Sequence, residues 1–306
     1  MDVLLVTPAR TPTRISNLTT LFTEGRSAST IRAYRADLED FNRFMGAENA
    51  VEALIAADAG TANEIAIRYR NELLNRGLKP ATVNRRIATL RSVVAFARTL
   101  GFCSWELAVR GVKAQPYRDT RGPGVDGVRK MLINLARRGD AKAVRDTALV
   151  HLMFDIALRC SECITLDLEH VDFDIAAIRV LRKGRPEREQ LTLPTPTITA
   201  LRAWIAVRGD APGPLFLNYD RAGKGHGLTA NGVYRLVRSL GLQIGRKVRP
   251  HALRHSAITQ ALSVSGGDVR SVAKFSSHRS IQTVLLYDDV RTDVAGQIAR
   301  LVAESV

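Results

Sequence analysis

Between Gly111 and Gly124 the chain reads Gly-Val-Lys-Ala-Gln-Pro-Tyr-Arg-Asp-Thr-Arg-Gly-Pro-Gly, a run of glycine, proline and charge without apolar periodicity. Such a run neither continues a helix nor supplies a packed strand face, so it marks a linker. The chain on both sides of it is patterned almost entirely for helix. Upstream, Ile31, Tyr34, Leu38, Phe41 and Phe44 recur at steps of three and four, which predicts an amphipathic helix over 29–45. A second helix is expected from Ala62 to Asn75, with Gly77 as its stop. Pro80 suits a first helical turn, and the helix it opens lines up Val83, Ile87, Leu90, Val94 and Ala97 on one face. Gly101 closes that helix, and its other face carries Arg85, Arg86, Arg91 and Arg98.

Downstream, Asp126 reads as the N-cap of a helix ending near Arg138-Gly139, followed by a helix over Arg145–Leu158. The only β signal is brief: Ile178–Leu181 and Gln190–Leu193 alternate and are joined by a basic, hairpin-like turn over 182–189. Further helix starts fall at Thr195, Thr229, Pro250, Asp268 and Ser280, and a last amphipathic stretch carries Val294, Ile298, Leu301 and Val302. The expected fold is mainly α: an N-terminal all-helical domain, then a mixed, mostly helical domain with one small antiparallel sheet. The boundaries are a leader at 1–19, the helical domain at 20–112, a linker at 113–121 and the second domain at 122–306.

A chain of 306 residues can bury two cores, and 45% hydrophobic with 25% charged residues is an ordinary globular balance. The formal net charge of +15 is not ordinary and favours a polyanionic partner, DNA being the commonest. A basic surface that binds nothing, a ribosomal association or a membrane surface would carry the same charge. The amino terminus has no basic region followed by a long apolar run, and no stretch nears the roughly 18 apolar residues of a membrane span. Three cysteines without a secretory signal fit a reducing cytoplasm. Cys160 and Cys163 form a C-x-x-C with no second pair near it, a weak zinc pattern better read as small packing residues.

The chemistry lies in the second half. Arg159 stands in Ala157-Leu-Arg-Cys-Ser-Glu162, at the end of the apolar helix. Lys183 lies in the basic turn, and His251-Ala-Leu-Arg254-His255 places three polar side chains at i, i+3 and i+4 on one helix face. His278 precedes Tyr287 by nine residues. The histidine pair at i and i+4 lacks the glutamate and third ligand of a zinc hydrolase, so no metal and no cofactor is expected. Cleaving a phosphodiester without metal calls for cationic donors to the non-bridging oxygens, a nucleophile, and a proton for the leaving alkoxide. Guanidinium groups grip two phosphate oxygens at once.

In order and text these motifs resemble the tyrosine recombinases, the phage-integrase family, over almost the whole chain. The resemblance implies a core-binding domain of the family's SAM-like helical type at 20–112 and a catalytic domain at 122–306. It implies that Tyr287 is the nucleophile, Arg159 and Arg254 the phosphate clamps, His251 a general acid/base near the attacking oxygen and Lys183 the general acid. His278 would hydrogen-bond a non-bridging oxygen, while Glu162 and His255 brace the site from behind. Positive charge beside Tyr287, whose ordinary pKa is near 10, is expected to favour its phenolate. The family usually has Leu-Gly before the histidine, where this chain has Ser276-Ser277. Arg85, Arg86, Arg91 and Arg98, with Arg182 and Arg185 in the turn, are the expected DNA contacts.

The implied reaction is cleavage and rejoining of DNA through a 3′-phosphotyrosyl bond, with strand exchange through a four-way junction. The implied partners are a double-stranded DNA core site and three further copies of the chain, four protomers on two sites. The helix from about Arg291 would dock into a neighbouring protomer. The short leader implies an enzyme without the arm-site domain of the larger phage integrases. Two other readings stay open: a type IB topoisomerase, which uses the same residue set alone, and a DNA-binding regulator without strand exchange.

Overall fold

The computed structural model describes residues 17–113, 122–182, 184–220, 223–278, 280–288 and 294–305. They fall into two compact units, Met1–Pro116 and Tyr117–Val306. In the first, five helices succeed one another: α1 Leu18–Thr23, α2 Ala28–Met45, α3 Ala50–Ala56, α4 Ala59–Asn75 and α5 Pro80–Thr99. The Ser27 hydroxyl accepts the Thr30 amide and starts α2, and Asp58 does the same for α4 through Thr61. Pro80 opens α5 at its first position. The face read from the sequence is the buried one, with Val83, Ile87, Leu90, Val94 and Ala97 packed into a core with Phe41, Tyr69 and Leu73. Helices α1 and α3 were not legible, being too short for periodicity to show.

Charge also lies inside this unit. Asp37 and Asp40, both buried, sit three residues apart on α2. Asp40 accepts hydrogen bonds from the Tyr69 hydroxyl at 2.8 Å and from Arg76 at 2.9 Å, and pairs with Arg86 and Arg43. Asp37 accepts from Thr89 at 2.8 Å and pairs with Arg85. Burial alone would raise the Asp40 carboxyl, but the bonds from Arg76, Tyr69 and Arg43 and the Arg86 charge hold it well below the carboxylate range. This corrects the reading of α5's basic face. Arg86 is 14% exposed and committed to both aspartates, so it is an internal counter-ion rather than a DNA contact. Arg85 is half exposed and shared with Asp37, and Arg98 pairs with Glu106 at 3.2 Å.

The second unit runs α6 Gly124–Arg138, α7 Ala141–Asp155, α8 Cys160–Ile164, a 3-10 turn at Leu168–His170, then β1 Val171–Asp172, β2 Ala177–Leu181 and β3 Arg188–Thr192. Helices α9 Thr195–Arg208, α10 Ala230–Gln243, α11 Pro250–Val264, α12 Val269–Phe275, α13 Ile281–Asp288 and α14 Val294–Glu304 follow. Helix α7 is central and packs on α6, α9 and α11. Trp204 of α9 is wholly buried, and its indole nitrogen donates to the Leu215 carbonyl at 2.8 Å. The sheet is antiparallel in the order β1-β2-β3, with Ile178 opposite Leu191 and Val180 opposite Glu189. Among the described residues no helix is long and apolar enough to cross a membrane.

Two local expectations change. Helix α6 starts at Gly124, so Asp126 lies in its first turn, facing the positive end of the helix and bonded to Arg129 at 2.8 Å. Helix α7 starts earlier, where Asp140 caps it through the Ala143 amide at 2.8 Å, and ends at Asp155. Arg159 is therefore not on α7. It is the residue that starts α8.

Candidate active site

Two helix ends build the floor of the site, and both turn through a left-handed residue that is not glycine. After α7 the chain passes through Ala157 at φ +51°. After α12 it passes through Ser277 at φ +49°, with the His278 amide reaching back to the Ala273 carbonyl at 3.0 Å and the Ser277 amide to Lys274 at 3.0 Å. This is a Schellman turn, whose left-handed position glycine fills most easily. Serine there costs about 1 kcal/mol, which explains why glycine is the expected residue. The carbonyls of these turns then orient the arginines. Arg254, buried on α11, donates to the Ala157 and Ser276 carbonyls. Arg159 donates to the Ser277 carbonyl at 3.3 Å.

Glu162 links Arg159 to the sheet. One of its oxygens accepts the Arg159 guanidinium at 2.7 Å, and the other accepts the Arg159 amide at 2.8 Å and Arg182 at 3.1 Å. Burial would raise this carboxyl, but the Arg159 amide and guanidinium and the Arg182 charge outweigh it and keep the group ionised. Arg182 itself is 2% exposed, at the end of β2. It was expected to face DNA; instead it is an internal ion partner of Glu162. Arg185 is 58% exposed and lies 3.5 Å from Glu189. Lys183 lies outside the described residues.

The aromatic side of the site is a chain of ring contacts. His251 and His255, one turn apart on α11, have centroids 4.3 Å apart, and His255 meets Tyr287 edge-on at 4.9 Å. His278 lies 6.1 Å from Tyr287. Tyr287, on α13, is only 4% exposed. Burial raises its pKa above the ordinary value, against the opposing charges of Arg254 and Arg159. The expectation of a favoured phenolate is thus reversed here: desolvation outweighs the cations, and the hydroxyl keeps its proton at neutral pH. Burial and the charges of Arg254 and Arg159 lower both His278, to about 4, and His251. Burial and the nearby Arg159 bring Arg254 down to about 10.

The structure brings Arg159, Glu162, His251, Arg254, His255, His278 and Tyr287 into one cluster. Ser276, Ser277, Ala157 and buried Arg182 were missed as part of it. Only the departure at Ser276-Ser277 hinted at any of them. A separate trio, Asp167, Glu169 and His170, has donor atoms within 4.8 Å of one another. Its His170 Nδ1 already accepts the Asp167 amide at 2.8 Å, and the histidine side chain is a satisfied turn residue.

Chemically, the cluster offers the guanidinium groups of Arg159, paired with Glu162, and of Arg254, held by backbone carbonyls, together with the neutral imidazoles of His251 and His278 and a protonated phenol. Such a centre attracts an oxyanion. Residues 126–293 match the phage integrase family, and residues 18–101 match the phage integrase N-terminal SAM-like domain. A tyrosine recombinase of Synechocystis sp. is 35% identical over 293 residues, covering 93% of each chain. The tyrosine recombinase XerC of Salmonella typhi is 30% identical over 278 residues, covering 85% of each. In fold, the chain resembles a XerH site-specific recombinase solved bound to a palindromic difH substrate, with a TM-score of 0.69 at 18% identity over 94% of this chain and 84% of that one. It also resembles the Tn1549 transposon integrase solved with circular intermediate DNA, at a TM-score of 0.67 and 16% identity over 89% and 94%. The chain belongs to the phage integrase family of tyrosine recombinases, enzymes that cut and rejoin DNA at specific sites.

Proposed function

We propose that the protein binds a duplex DNA site and cuts it by attack of Tyr287 on a backbone phosphate. The attack forms a phosphotyrosyl ester at the 3′ side and breaks the bond to the 5′-oxygen, which leaves as a hydroxyl. The phenol proton passes to His251, whose ring is neutral at neutral pH because its surroundings and the two arginines disfavour its charged form. Arg159 and Arg254 neutralise the non-bridging oxygens, and Lys183 supplies the proton of the leaving oxygen. The ester keeps the energy of the broken bond, so a 5′-hydroxyl from a partner strand can reverse the step and complete an exchange without a nucleotide cofactor.

The observation that carries this reading is the meeting of a buried tyrosine with two arginines, Arg159 paired with Glu162 and Arg254 held by backbone carbonyls that leave its charge uncancelled. An arriving phosphate supplies the missing negative charge. The test is a nicked suicide duplex drawn from the DNA around the gene, incubated in EDTA. A covalent adduct forms with the wild type and is abolished in Tyr287→Phe, which still binds. An adduct that persists in the Tyr287→Phe protein would remove the residue from this role.

Assembly as four protomers on two sites, with exchange through a four-way junction, is the second half of the proposal. Helix α14 is its linking element, because Leu301 and Val302 are 66% and 60% exposed, an apolar surface without cover in the single chain. Removing residues 294–306 should leave single-site binding intact and abolish pairing of two sites, read by light scattering of the DNA complex. Unchanged pairing would eliminate α14 as the link.

A further inference from the structure

Ser276 is fully buried at the end of α12, two residues before His278. Its hydroxyl donates to the Val272 carbonyl at 2.7 Å and lies 2.7 Å from Nδ1 of His278. A hydroxyl has one hydrogen, and a carbonyl has none to give. An oxygen–oxygen contact of that length needs the serine hydrogen in it; otherwise two lone pairs would face each other. The second contact must then take its hydrogen from the imidazole. Nδ1 carries the proton, and Nε2 of the neutral ring is left as a bare lone pair. The network assigns this tautomer, as it does for any histidine without visible hydrogens.

We propose that Ser276 is a positioning residue that holds neutral His278 in the Nδ1–H form, so that its Nε2 can engage a phosphate oxygen only after taking up a proton. A lone pair cannot donate to an anionic oxygen, whereas the same nitrogen protonated is a charged donor. Among the described residues, the groups facing the ring are Arg254, His251 and His255 from α11, Arg159 from the turn before α8, and Tyr287 from α13. Burial, and then the two arginines, keep the ring neutral while the site is empty, with a pKa of about 4. A phosphate between the arginines cancels part of that charge and turns the balance toward imidazolium. His278 thereby distinguishes an empty site from one holding phosphate. A leucine at position 276 has no oxygen to offer the ring and would leave its tautomer to the solvent.

The proposal rests on the reading that the site receives a DNA phosphate, but its test does not. The full chain is labelled with 15N-histidine and its long-range proton–nitrogen spectrum is recorded without DNA at neutral pH, with His278 assigned by its loss in His278→Gln. The expected signature is a pyrrole-type Nδ1 and a pyridine-type Nε2. Ser276→Ala should move the ring toward Nε2–H, the form free histidine prefers, and Ser276→Thr should retain the wild-type pattern. A pyridine-type Nδ1 in the wild type overturns the proposal, even if Ser276→Ala does not fold. So does a folded Ser276→Ala protein that keeps Nδ1–H. Failure of the cleavage assay with this signature intact would count against the recombinase reading instead.

Discussion

In the first unit Asp37 and Asp40 lie buried beneath Arg43, Arg76, Arg85 and Arg86, and in the second the buried Glu162 faces Arg159 and Arg182 with Arg254 close by. The residue types are the same, but the balance differs. In the first cluster two carboxylates accept from four guanidinium groups and from the Tyr69 and Thr89 hydroxyls, and the result is a fixed joint between α2, α4 and α5. In the second, one carboxylate serves two arginines, and Arg254 is held by backbone carbonyls, which orient it without cancelling its charge. Burial first, and the uncancelled charge with it, depresses the neighbouring imidazoles and Arg254. A cluster in which every arginine meets a carboxylate is a joint; one in which Arg254 meets only carbonyls is suited to an anion.

The comparison can be tested from either side. Asp40→Ala should have the largest effect on folding, because it leaves the buried Tyr69 hydroxyl and the largely buried Arg86 without their acceptor. A loss of about 3–5 kcal/mol is expected for the first unit. Chemical denaturation followed by Trp105, the indole of this unit, reads it; a loss below about 1 kcal/mol would mean that the joint is not structural. Arg159→Ala should instead slow single-turnover cleavage by about 10²–10³ while the protein stays folded, as expected for a lost transition-state donor. A rate within twofold of wild type would place Arg159 with the structural arginines of the first unit.

The smallest effect is the pH response of the second unit. His278 falls from an ordinary 6.5 to about 4 in the folded chain, so folding favours its neutral form. Its contribution is complete above 6.5, declines as the pH falls below that value, and is lost on passing through about 4. Urea denaturation followed at Trp204 should lose on the order of 1–2 kcal/mol across that window, with a shallower slope in His278→Gln. An equal slope in both proteins would shift the effect to His251.

The sequence was most legible where one residue type has one use. The apolar face of α5 and the two strands of the hairpin could be read from spacing, because periodicity is a local property, while the set from Arg159 to Tyr287 was carried by resemblance to the family. Arginine was the opposite case. Arg85, Arg86, Arg91 and Arg98 read alike along the chain, yet Arg86 is an internal counter-ion and Arg98 a surface partner of Glu106. The hint was Asp37 and Asp40, acidic residues three apart on a helix whose apolar face was already assigned. Arg182, two residues from exposed Gly184 and beside the turn, was likewise taken for surface charge.

The chain by itself determined the helical character of both units and the family its motifs belong to. Patterning and motif spacing carry those, since each depends on neighbours within a few turns. Tertiary structure alone decided which arginines keep their charge available, that burial raises the Tyr287 pKa rather than lowering it, and that Ser276 meets His278. Ionisation and hydrogen-bond partners depend on what lies across the fold and on how far water is excluded. A carboxylate from a distant helix, or a carbonyl turned inward at a strained bend, leaves no mark in the local sequence.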